Sequence, residues 1–304
     1  MTMSPNKVAR DFVVLPFDPS FLELRDEETE FLKSWTGITN EEELRTHIVD
    51  VSAKAYETFP YPCIRGFAFT KLKISRLPVY PKLLKLVQDQ PSAILLDAAC
   101  CFGNDLRKAV LDGWPVENAI GFDLEPLFWQ YGHELFKSTP QSFPAGFVAG
   151  NAFEPHIIEP REQPFYEAPI TPRPQNLQEL KSLMPLQGHI SAIHASSFFH
   201  IFSEEKQIQL ARRLASLLSP EPGSMIFGCH RGLKVKAVTS DLLGFEMTCY
   251  SPETWRDLWD GVIFRKGTVD VRAELRDANR EDVSLDDGGK IYFLDWSVTR
   301  LRAD

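Results

Sequence analysis

The chain has 304 residues, 43% apolar and 25% charged, with a formal charge of −9. That composition excludes a disordered chain and suits one large domain or one domain with an added cap. The acidic balance argues against a nucleic-acid partner, because phosphate binding needs a basic surface; a small molecule of cationic character fits better.

Residues 1–90 read as a helical cap on the substrate side. The opening "MTMSPNKVARDFVVLPFDPS" lacks the basic head and apolar core of a secretory signal, and no apolar run is long enough to span a membrane. The stretch "TNEEELRTHIVDVSAKAYE" predicts a helix capped by Asn40, with Glu43 three residues on and Leu44, Ile48, Val51 and Ala55 along one face. In "TFPYPCIRGF", Pro60 and Pro62 flank Tyr61 and predict a rigid loop, because proline removes backbone donors. "PKLLKLVQDQ" is a short helix leading into the first strand.

Residues 91–304 form the expected core. "AILLDAA" is a continuous apolar run, as in a buried parallel strand. "NAIGFDLEP", "AGFVAGNAF", "ISAIHASS" and "GSMIFGCHR" supply four more strands. "SEEKQIQLARRLASLL" is a helix capped by Ser203, and "SPETWRDLWD" is one opened by Ser251 and Pro252. "GTVDVRAEL" and "KIYFLDWSVTRL", separated by the acidic "RDANREDVSLDDGG", predict an antiparallel hairpin at the end of the sheet. The expected fold is α/β: a Rossmann-like, doubly wound seven-stranded sheet with a C-terminal antiparallel hairpin and an N-terminal helical cap. Residues 154–189, with six prolines between Pro155 and Pro174, read as an insertion, either a lid over a substrate or a solvated loop.

Five cysteines (Cys63, Cys100, Cys101, Cys229 and Cys249) show no CxxC or Cys/His metal spacing. They read as reduced, small packing residues, so no metal is expected and the cytoplasm is the expected compartment.

In such a sheet, ligands sit beyond the carboxyl ends of the strands at the switch point. Asp123 ends the second strand, where a carboxylate can accept the two hydroxyls of a ribose; NAD, FAD and S-adenosylmethionine all share that need. The turn after the first strand decides between them. It lacks G-x-G-x-x-G, and Asp105 would repel a pyrophosphate. S-adenosylmethionine carries no phosphate, and its ammonium and sulfonium suit carboxylates such as Asp97 and Asp105.

The set "LLDAACCFGNDLRKAV", "AIGFDLEP", "FVAGNAFEP", "AIHASSFFHIF" and "DWSVTRL" resembles a class I S-adenosylmethionine-dependent methyltransferase. More closely, "YPCI", "CCFGNDLR", "GFDLEPLFWQYGHELF" and "ASSFFHIF" resemble fungal methyltransferases of meroterpenoid and polyketide pathways, where the reaction is often O-methylation. The resemblance implies that the loop from Asp97 to Gly103, with Cys101, receives the methionine side of the cofactor. It implies that Asp123 holds the ribose, that Leu124 packs on adenine, and that Asn151, Ala152 and Phe153 bracket the adenine edge. Asp105 and Ser196 complete the expected cofactor set. Ala99 and Cys101 stand where that family commonly has glycine, and Asn151 where it commonly has aspartate.

Tyr61, Trp129 and Phe199 are the expected substrate contacts, and His200 the expected base for an acceptor that must lose a proton. The expected activity is methyl transfer to an oxygen, carboxylate or phenol/enol, of a hydrophobic natural-product intermediate. Two alternatives stay open: a protein of this fold that binds the cofactor for another reaction such as cyclisation, and a non-catalytic partner protein. A homodimer also stays open.

Overall fold

The structure, a computed structural model, describes residues 15–240, 246–277 and 291–302. The first 14 residues of the opening segment and most of the acidic "RDANREDVSLDDGG" lie outside the described residues.

The N-terminal part contains α1 (Asp26–Thr36), α2 (Glu41–Thr58), α3 (Pro62–Arg65), α4 (Lys73–Arg76) and α5 (Tyr80–Asp89). In α2 the Asn40 side chain accepts the Glu43 N–H at 3.0 Å, and Leu44, Ile48, Val51 and Ala55 are buried, as their spacing requires. These residues share one apolar cluster with Phe102, Phe128, Leu135 and Phe136, so this part of the cap packs on the segment after the first strand and on the helix that begins at Pro126. The Pro-bounded segment differs from the expected loop. Pro62 occupies the first turn of α3, where its missing N–H costs nothing and its fixed φ favours a helix.

The core follows in chain order: β1 (Leu95–Ala98), α6 (Asn104–Leu111), β2 (Ala119–Asp123), α7 (Pro126–Leu135), β3 (Gly146–Ala149), β4 (Ala192–His194), α8 (Glu204–Leu217) and β5 (Met225–Gly232). Then come β6 (Ala237–Ser240), β7 (Glu246–Cys249), α9 (Pro252–Trp259), β8 (Val269–Asp277) and β9 (Tyr292–Arg300). The seven-stranded sheet has the order β3-β2-β1-β4-β5-β9-β8. The strands from β1 to β5 in this sheet are parallel; β9 runs antiparallel to β5 and β8 antiparallel to β9. Chain order reverses between β1 and β4, which makes the space beyond their carboxyl ends the switch point.

Local chemistry explains the strands. All four residues of β1 are buried, as a central parallel strand covered on both faces requires. The edge strand β8 carries Arg272, Glu274 and Arg276, charges that discourage pairing with another chain. The small hairpin of β6 and β7 went unforeseen, because β6 is almost wholly exposed and shows no apolar alternation.

The segment 154–189 is exposed along most of residues 159–176 and anchored in the core toward both of its ends. Ile157, Ile158, Leu177, Leu183 and Leu186 join the main core cluster. Arg213 of α8 donates to the Phe153 carbonyl at 2.8 Å and also to the Ile158 carbonyl. Farther along, the Tyr166 hydroxyl accepts the Arg265 N–H at 2.8 Å, and Arg300 donates to the Phe165 carbonyl. Arg300 ends β9 beside the start of β5, so the insertion runs toward the edge opposite the strands' carboxyl ends. Among the described residues no helix is long and apolar enough to cross a membrane.

Candidate functional site

The loop after β1 keeps a glycine-type conformation with few glycines. Ala99, Cys101 and Gly103 all have positive φ, at 60°, 50° and 69°. A non-glycine residue there costs on the order of 1 kcal/mol, so the surrounding contacts must hold the loop in place. One such contact is the Cys101 N–H, which donates to Asp123 Oδ2 at 2.8 Å. Gly103 is needed for space as well as for φ: a Cβ there would stand 2.7 Å from the Trp129 ring and 2.9 Å from the Arg107 guanidinium.

Asp97 lies beside His194 in the parallel register of β1 and β4. His194 Nδ1 sits 2.7 Å from Asp97 Oδ1, and His194 Nε2 sits 2.7 Å from Ser196 Oγ. Ser196 Oγ also accepts the Cys229 N–H at 3.1 Å. Asp97, His194 and Ser196 are all buried. Burial disfavours the charged imidazole, but the attraction and hydrogen bond of Asp97 outweigh it, and the His194 pKa is raised. Asp97 Oδ2 is buried and has no partner among the described residues. A buried carboxylate oxygen left open is costly unless a ligand group meets it.

At the end of β2, Asp123 Oδ1 accepts the Glu125 N–H at 3.2 Å and Oδ2 accepts the Cys101 N–H. Each oxygen keeps a second lone pair, enough for one hydroxyl each. Burial pushes its pKa up to about 6, against the backbone N–H groups that favour the charged form. The next residue, Leu124, is 37% exposed and offers an apolar face. Asn151 Oδ1 accepts the Phe153 N–H at 3.0 Å, which leaves its amide nitrogen free to donate. Ala152 beside it is buried, whereas the Phe153 ring turns away to pack edge-on against Phe202 at 5.0 Å.

Residues 17–70 match the family described as the meroterpenoid methyltransferase N-terminal domain. The O-methyltransferase phiE of a fungal species is 33% identical over 263 residues, which covers 84% of this chain and 79% of that protein. The Asnovolin E/Chermesin D methyltransferase nvfJ of Aspergillus novofumigatus is 30% identical over 260 residues, covering 85% and 83%. The chain belongs to this family of fungal methyltransferases.

The methyltransferase has residues that fit S-adenosylmethionine. The open Asp97 oxygen suits a buried cation, the paired oxygens of Asp123 suit a ribose, and the exposed Leu124 with Asn151 suits a flat base with polar edges.

Three expected cofactor contacts are engaged elsewhere. Asp105 Oδ1 accepts the Ile74 N–H at 2.9 Å, so this buried carboxylate anchors the cap to α6; burial raises its pKa. The Ser196 hydroxyl is engaged by His194 Nε2 and by the N–H and thiol of Cys229. Phe153 offers its N–H to Asn151, and its ring is engaged with Phe202.

The expected substrate contacts separate. Tyr61 is half-buried, stacks on Phe59 with centroids 4.1 Å apart and lies 5.8 Å from Phe128, on the cap side of the loop. Trp129 lies beneath Gly103, stacked on Phe147 at 4.9 Å; its free edge faces a shallow groove with Pro140, Pro144 and Gln178. Phe199 is 0% exposed and packs edge-on against Trp255 at 5.1 Å and Trp296 at 5.6 Å. Phe199 is core, which aromatic spacing alone does not distinguish from a pocket wall, whereas Trp129 is buried with an edge at the groove.

His200 is half-buried beyond β4, and its Nδ1 has no partner among the described residues. Burial, with the charges of Lys73 and Arg231, lowers its pKa to about 4. The ring is therefore neutral at neutral pH and a weak proton acceptor. The sequence reading missed the Asp97–His194 pair and Lys73. Strand-end register would have shown the first, since both residues occupy matching positions on neighbouring parallel strands. No sequence signal marked the second.

Proposed function

We propose that this methyltransferase transfers the methyl group of S-adenosylmethionine to an oxygen of a hydrophobic natural-product intermediate. The observation that carries this reading is the buried, unpartnered Asp97 oxygen, at the switch point together with Asp123. When bound, S-adenosylmethionine supplies an electrophilic methyl on a sulfonium. The protein's own task is to align the reactants and exclude water, because methyl transfer is an in-line displacement. The cap, packed onto the β1 loop through Phe102, provides the exclusion.

A carboxylate acceptor is ionised at neutral pH and needs no base, whereas a phenol with a pKa near ~10 does. The lowered pKa of His200 favours the first: a ring that binds a proton only near pH 4 is poorly suited to take one from a phenol. The thinned glycine pattern suggested a non-methylating protein of this fold. That motive weakens, since Ala99 and Cys101 hold the conformation glycines would supply.

The test is incubation with methyl-labelled S-adenosylmethionine and matched panels of apolar carboxylic acids and phenols. Methyl esters as the main labelled products support the reading. Labelled phenol ethers alone would overturn the carboxylate preference, and cofactor binding without label transfer would overturn methylation.

A further inference from the structure

Lys73 is the first residue of α4, in the cap. Its neighbours are pinned to the first turn of α6 by two bonds: the Ile74 N–H donates to Asp105 Oδ1 at 2.9 Å, and Asn104 Nδ2 donates to the Lys71 carbonyl at 3.3 Å. This holds the Lys73 backbone against the switch point. Its side chain reaches across to the turn after β4, where Nζ donates to Ser197 Oγ at 3.4 Å. Ser197 is itself fixed, with φ at 55° and its N–H donating to the Cys229 carbonyl at 2.7 Å.

Among the described residues the ammonium of Lys73 has no carboxylate within ion-pair distance. Lys71 and Arg76, from the same short stretch, pair with Glu28 at 3.1 Å and 2.7 Å. Among the described residues Lys73 makes no ion pair, although it is half-buried. Of the buried carboxylates nearby, Asp105 holds the Ile74 N–H through Oδ1 and Asp97 holds His194 through Oδ1, and neither forms an ion pair with Lys73 among the described residues. Ser197 directly follows Ser196 of the His194 network, which sets the Lys73 ammonium beside the Asp97–His194 pair, and its charge acts on Asp105, His194 and His200.

A partly desolvated ammonium whose one hydrogen bond is a long one to a hydroxyl is built to receive an anion. We infer that Lys73 is the carboxylate-binding residue of this site. It closes over the ligand from the cap while Asp97, of opposite charge, meets the ligand from β1. The carboxylate has two sources: the amino-acid end of the cofactor, or the acceptor itself. The inference rests on the cofactor reading above, and the experiment separates the two.

Calorimetry of wild type, Lys73→Met and Lys73→Arg is run with S-adenosylhomocysteine and with 5′-methylthioadenosine, which lacks the amino acid. KM is measured for an acidic acceptor. If the source is the cofactor, Lys73→Met weakens S-adenosylhomocysteine by roughly tenfold or more and methylthioadenosine by less than about twofold, with partial rescue in Lys73→Arg. If the source is the acceptor, S-adenosylhomocysteine binding is unchanged and KM for the acid rises by roughly tenfold, again with rescue by arginine. Unchanged values throughout overturn the inference, as does a parallel loss of both nucleosides, which marks a merely structural lysine. Wild type that binds neither nucleoside overturns the cofactor reading instead.

Discussion

His194 Nδ1 and Asp97 Oδ1 lie 2.7 Å apart, on adjacent parallel strands, at the point where the sheet reverses its order. The pair orients the carboxylate: one oxygen is fixed by the imidazole, and the other stays open. His194→Leu removes the partner and leaves a buried charge, so it should destabilise the fold by about 3 kcal/mol or more in denaturant titrations. The sign with pH follows from the raised pKa of His194. Its contribution is full below the ordinary histidine value of about 6.5 and is lost as pH rises through the raised folded value. The gap between wild type and variant should therefore narrow above neutral pH. A gap under about 0.5 kcal/mol at pH 6 would show that the pair does not hold the site.

Much of this arrangement was readable from the residues. Continuous apolar runs such as "AILLDAA" specify parallel strands, and turn residues set their ends, so the doubly wound class and the terminal hairpin were legible while the strand order was not. Asp123 was legible because it terminates a strand. Asp105 was read as a free carboxylate, because no local pattern shows that Ile74, 31 residues earlier, donates to it. Phe199 was read as a pocket wall for the same reason: burial is a tertiary property, and its partners Trp255 and Trp296 are remote in sequence.

The carboxylate of Asp123 should make cofactor binding pH-dependent. Its pKa is pushed up to about 6, and the charged form is the better acceptor for hydroxyls. Affinity for S-adenosylhomocysteine should fall as pH drops from 7 through 5, and Asp123→Asn should flatten that fall. Calorimetry across this range gives the answer; a flat wild-type profile would contradict the assignment.

His200 should not act as the proton acceptor. With a pKa near 4 it stays neutral through the working range. His200→Gln should retain turnover to within about tenfold, and the rate profile should show no histidine limb between pH 6 and 7. A loss of roughly a thousandfold, with cofactor affinity intact, would restore it as the base.

The β1 loop should tolerate glycine where it carries strain. Ala99→Gly and Cys101→Gly relieve positive φ values of 60° and 50°. Each should leave thermal stability unchanged or raise it by up to about 1 kcal/mol, with S-adenosylhomocysteine affinity retained. A bulky β-branched residue, as in Ala99→Val, should destabilise the loop. A marked loss of stability on glycine substitution would mean that the two side chains pack where the loop needs them.

The most direct measurement is calorimetric titration of S-adenosylhomocysteine into wild type and Asp123→Ala at pH 7.5. The structure predicts saturable binding at one site in wild type and a loss of roughly a hundredfold in the variant, as removal of a paired hydroxyl acceptor implies. Equal affinity in the two proteins, with both folded, would contradict the placement of the cofactor between β1 and β2.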